Sequence, residues 1–118
     1  LEGELDLSGY GLSELGGAEY CRKLTRRNLA SNYIDNLFPL RRLVYLRELF
    51  LSSNHIHSLD DLADLYHLEI LDVSDNDIED LSPLLSIESL KFVDVRNNPI
   101  GSTETIRRLE REGIVVLY

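Results

Sequence analysis

Two consecutive 22-residue segments, 46–67 (LRELFLSSNHIHSLDDLADLYH) and 68–89 (LEILDVSDNDIEDLSPLLSIES), share one apolar spacing position for position. Leu46, Leu49, Leu51, Asn54, Ile56, Leu59, Leu62 and Leu65 of the first correspond to Leu68, Leu71, Val73, Asn76, Ile78, Leu81, Leu84 and Ile87 of the second. A chain with this period does not close around a single centre. Each unit buries too little apolar surface alone and must stack on its neighbours.

The period extends in both directions from this pair. Segment 24–45 keeps Leu24, Leu29, Asn32, Ile34, Leu37, Leu40 and Leu43 on pattern but places Arg27 where an inward leucine is expected. A guanidinium there is costly to bury, so it must reach a carboxylate or solvent, or the strand must distort. Segment 2–23 keeps Leu5, Leu7, Leu12, Leu15, Ala18 and Cys21 and substitutes Glu2 and Tyr10, as an end unit with one neighbour tolerates. Cys21 fills the last apolar slot of that unit and reads as a buried structural thiol. Segment 90–111 keeps Leu90, Val93, Val95, Asn98, Ile100, Ile106 and Leu109. Within it, residues 103–112 read as an amphipathic helix capped by Ser102 or Thr103 and ended by Gly113. Residues 114–118 (IVVLY) read as a closing strand with Val115 and Leu117 inward. The 118 residues are thus one domain of five repeats, 2–23, 24–45, 46–67, 68–89 and 90–111, plus the closing strand.

Within each unit the alternation x-L-x-L-x predicts a short strand, and strands one repeat apart must lie parallel. The rest of the unit returns the chain through a turn and an extended or short 3₁₀ arm. Pro39 and Pro83 occupy equivalent arm positions, where a long helix is unwelcome. Asn32, Asn54, Asn76 and Asn98 recur at the strand exit. There a buried amide can join main-chain groups of neighbouring turns, so these residues read as framework rather than as a site.

The pattern resembles the leucine-rich repeat family, in the 22-residue class typified by bacterial internalins and some eukaryotic intracellular regulators. Within that class, LGGAEYCRKLT at 15–25, IEDLSPLLSIESL at 78–90, NNPI at 97–100 and LEREGIVVLY at 109–118 look bacterial and secreted or surface-attached. The resemblance implies an α/β solenoid: a right-handed horseshoe segment with a parallel sheet on its concave face and short 3₁₀ or extended arms on its convex face. It also implies a module that binds other macromolecules through the concave face.

Along the strands the residues pointing away from the core are Glu4, Asp6, Ser8; Arg26, Asn28, Ala30; Glu48, Phe50, Ser52; Ile70, Asp72, Ser74; and Phe92, Asp94, Arg96. Phe50, Ile70 and Phe92 take outward phases on three successive strands, rimmed by Asp72, Asp94 and Arg96, which is the composition of a protein-binding hot spot. Tyr33, His55 and Asp77 share one turn position at the rim and extend this surface. Ile114, Val116 and Tyr118 are expected outward on the closing strand, an apolar edge for a neighbouring domain or chain.

A net charge of −9 disfavours nucleic acid and anionic membrane. The excess lies in residues 60–118, with fourteen acidic against five basic residues, while 1–59 carry seven of each. No apolar run is long enough for a membrane span. His55 and His57 lack a third metal ligand at suitable spacing. Asp72, Asp75, Asp77 and Asp94 lack the glycine and distal glutamate of a calcium loop and read as a solvated rim. No cofactor motif or catalytic constellation is present, and Gly9, Gly11, Gly16 and Gly17 fall in turns of the first repeat. The reading is a non-enzymatic protein-recognition module, with an extracellular or surface position on a bacterium favoured over the cytoplasm. The alternatives are a structural spacer inside a larger protein and an intracellular regulatory subunit.

Overall fold

A computed structural model describes residues 2–6, 8–9 and 23–118. Cys21, Tyr10, Gly11, Gly16 and Gly17 lie outside the described residues. One parallel sheet runs through the molecule in sequence order. Its strands are β1 (Glu2–Asp6), β2 (Lys23–Asn28), β3 (Glu48–Phe50), β4 (Ile70–Asp72), β5 (Phe92–Asp94) and β6 (Val115–Leu117). The return arms carry 3₁₀ turns at Phe38–Leu40, Asp60–Leu62 and Ser82–Ser86, and the last carries helix α1 (Glu104–Arg111). Pro39 and Pro83 each sit in the first turn of their 3₁₀ segment, where a missing N–H costs nothing.

The repeated leucines, isoleucines and valines line one continuous core from Leu29 to Val116. In the central repeat Leu46, Leu49, Leu51, Ile56, Leu59, Leu62 and Leu65 are all fully buried. Each inward side chain stacks on its equivalent in the next turn, so every unit covers the apolar edge of the one before. Arg27 is drawn inside with them, only 2% exposed, at the leucine slot of β2.

The asparagine positions do what their recurrence predicts. Asn76 Nδ2 donates to the carbonyls of Leu51, Val73 and Ser74 at 2.9, 3.1 and 3.0 Å, while its Oδ1 accepts from the Ile56 N–H at 3.0 Å. Asn54 and Asn98 repeat the arrangement one turn on either side. Just before each asparagine the backbone turns left-handed, at Ser31, Ser53, Asp75 and Asn97, and the equivalent residue of the first repeat is Gly9. Short polar side chains and glycine are the residues that enter this region at least cost.

The closing strand corrects one expectation. Val116, not Val115 or Leu117, pairs with inward Val93 and is buried, as is Ile114. Val115 stands beside Phe92 and Leu117 beside Asp94, both on the concave side. The cause is α1. A helix advances about 1.5 Å per residue against about 3.3 Å for extended chain, so a helical arm uses more residues to cross the same width. Val93 and Val116 are 23 residues apart where Leu71 and Val93 are 22 apart, and one extra residue reverses the facing of every side chain that follows. The helix itself falls where expected. The Ser102 hydroxyl accepts the Glu104 N–H at 3.2 Å, and Gly113 ends it with φ of 87°.

Candidate functional site

Register places the outward residues in lateral rows across the sheet. The first row reads Arg26, Glu48, Ile70, Phe92, Val115, so it is charged over β2–β3 and apolar over β4–β6. The second reads Asp6, Asn28, Phe50, Asp72, Asp94, Leu117. Ile70 and Phe92 are therefore direct neighbours, and Val115, 57% exposed, continues their line. Phe50 stands one row further on, between Asn28 and Asp72 and diagonal to Ile70. The Arg26 guanidinium lies over its ring at 4.8 Å and faces Glu48 at 3.8 Å.

The second row has a structural task that spacing alone does not reveal. Asp72 Oδ1 accepts the N–H and hydroxyl of Ser74 at 3.0 and 2.7 Å. Asp6 does the same with Ser8, Asn28 accepts the Ala30 N–H, and Asp94 accepts the Arg96 N–H. These bonds brace the strand exit as it enters the left-handed residue. Phe50 takes the same slot and has no acceptor to offer. Asp94 is also clasped by Arg96 through Nε at 3.0 Å and Nη2 at 2.7 Å. That clasp holds the Asp94 carboxyl below the usual carboxylate range although burial opposes it. Asp94 is thus buried and engaged, while the Arg96 head group is turned to solvent.

At the rim Tyr33 and His55 stack, with ring centres 6.0 Å apart and planes 17° apart, and Asp77 occupies the next equivalent position. His57 is exposed, and among the described residues no three His, Cys, Asp or Glu side chains gather as metal ligands. Among the described residues no helix is long and apolar enough to cross a membrane.

The expected apolar edge also changes composition. Ile114 and Val116 belong to the core, so Val115, Leu117 and Tyr118 are what the last strand presents. Sequence reasoning placed Val115 and Leu117 inward and so missed them as surface. It also missed the opposite sheet edge, where Tyr45 and His67 stack at 6.1 Å with planes 7° apart. With Thr25 and Arg47 they line an open depression of about 410 Å³. The 22-residue interval between 45 and 67 was the available signal.

A family model described as leucine-rich repeats (two copies) matches residues 45–86 and 66–108. Among solved structures, internalin C2 of Listeria monocytogenes superposes with a TM-score of 0.84 at 30% identity, covering 98% of this chain and 51% of that one. The Listeria internalin InlF superposes at 0.82 and 24% identity, covering 90% of this chain and 31% of that one. A leucine-rich repeat protein of Leptospira interrogans superposes at 0.71 and 22% identity over 81% of this chain and 26% of that one. The last two show the fold alone, and the chain spans about a third to a half of the Listeria proteins. No curated protein matches the sequence. The repeated core, the asparagine ladder and these likenesses agree: the chain belongs to the leucine-rich repeat family and is an internalin-like repeat domain.

Proposed function

We propose that this domain recognises a protein partner through its concave sheet face, as part of a bacterial surface or secreted protein. The observation that carries the reading is the apolar line Ile70, Phe92 and Val115 on a surface where neighbouring positions are charged. Phe50 and Leu117 flank it, and the Arg96 head group together with exposed Tyr33 and His55 offers polar contacts around it. Aromatic anchors inside a polar rim are the arrangement that concentrates binding energy. Asp72 and Asp94 contribute by holding the strand exits and, for Asp94, by orienting Arg96. The 30% identity to internalin C2 over nearly the whole chain supports the bacterial setting.

The double variant Phe50→Asp/Phe92→Asp tests the reading. Phe50→Asp restores the acceptor present in the equivalent slots of the other repeats, so folding should be retained, as an unchanged urea midpoint would show. The immobilised domain is offered extracellular proteins from the organism's surroundings. A partner retained by the wild type should be held at least about tenfold more weakly by the double variant. Equal retention by the two proteins refutes the concave face as the binding surface.

A further inference from the structure

We propose that the sheet edge opposite the Tyr33–His55 rim carries a second, separate site that takes a carboxylate borne on a flat or cyclic apolar body. The depression lined by Thr25, Tyr45, Arg47 and His67 measures about 410 Å³, within the range of small-ligand sites. Its construction follows from the repeat. Tyr45 and His67 are equivalent residues of adjacent turns, and their rings stack nearly parallel. Thr25 in β2 and Arg47 just before β3 are equivalent residues of adjacent repeats, joined by the Arg47 N–H to the Thr25 carbonyl at 2.7 Å.

The lining residues carry a guanidinium, a phenol, an imidazole and a hydroxyl and turn mainly apolar surface to the depression, and no carboxylate lines it among the described residues. Glu69 pairs closely with Lys91 and more loosely with Arg47. Lys91 Nζ meets it at 2.7 Å, and this bond holds its carboxyl below the usual range, whereas Arg47 stands 3.8 Å away. At 3.8 Å there is no hydrogen bond. The Arg47 side chain is 63% exposed and keeps its planar fork of N–H groups available for a second carboxylate. Apolar ring surface beside a single fork selects an anion attached to something flat and apolar over a bare, strongly hydrated ion.

Nuclear magnetic resonance titration of the isotope-labelled domain with benzoate, acetate, benzyl alcohol and inorganic phosphate tests this. Benzoate should give saturable shifts confined to the surroundings of Tyr45, Arg47 and His67, and should bind about tenfold more tightly than acetate or benzyl alcohol. Arg47→Gln should weaken benzoate about tenfold, and Glu69→Gln should strengthen it several-fold by removing the competing charge. Phe50→Asp/Phe92→Asp should leave it unchanged, which separates this site from the concave face. Benzyl alcohol binding as well as benzoate, phosphate binding more tightly than benzoate, or benzoate shifts that survive Arg47→Gln would each overturn the proposal.

Discussion

Asn76 joins three carbonyls from two successive turns with one amide and takes an N–H from the turn before, which leaves no simple replacement. Truncation to alanine strands those groups in the interior. Asn76→Ala is expected to cost about 1–3 kcal/mol, read as a lower urea midpoint. Asp94 makes a different contribution. Arg96 lowers its folded-state pKa below that of the unfolded chain, so the stability it lends is present above the ordinary carboxylate range and is lost as pH falls through it. Urea midpoints should therefore decline below about pH 5, and less steeply in Asp94→Asn. The equally directed shifts at Asp6 and Asp80 concern surface groups and add little. Phe50 gives up the strand-exit bond made by Asp6, Asn28, Asp72 and Asp94, an exchange that folding does not require.

Helix α1 alters the molecule out of proportion to its eight residues. It lies against the preceding arm and β6, with Ile106 and Leu109 buried, and by absorbing one more residue than the arms before it, reverses the facing of β6. Val116→Ala is accordingly expected to cost about 2 kcal/mol, while Val115→Ala should change stability by less than about 0.5 kcal/mol, both measured by urea denaturation. The reverse order would restore the facing that alternation alone suggests. The same extra residue decides which side chain ends the concave apolar line: Val115 stands beside Phe92, where an interval of 22 would have placed Ile114.

Across the whole molecule, the sheet face divides along the solenoid axis. Arg26 and Glu48 face solvent over the early strands, and the apolar line occupies the late ones, in the half of the chain that holds fourteen of the acids. A partner reaching that half meets exposed Asp75 and Asp77 as well as apolar contacts. Its association rate should fall about tenfold as salt rises from about 0.05 to about 0.5 M if its own surface is basic, with dissociation nearly unaffected. Stopped-flow measurement checks this, and a salt-independent rate would mean that the acids play no part in steering.

How much was legible follows from what repetition encodes. Period and alternation depend on the chain alone, so the parallel sheet, the buried leucines and the asparagine ladder could all be read from residues 24–111. The outward rank of Phe50, Ile70 and Phe92 could be read too, because it is fixed by parity within each strand. Tertiary structure decided what depends on counting across an arm of unknown conformation or on contacts between arms. The helical arm reset the parity of β6, moving Ile114 and Val116 into the core and Val115 and Leu117 onto the concave face. The packing of turns drew Arg27 inside, set Asp72 and Asp94 to bracing strand exits, and brought Tyr45, His67, Thr25 and Arg47 around one depression. A repeating sequence specifies which residues point inward within a unit. Where each unit lands on the next depends on the length its arm consumes, and that is set only when the arm folds.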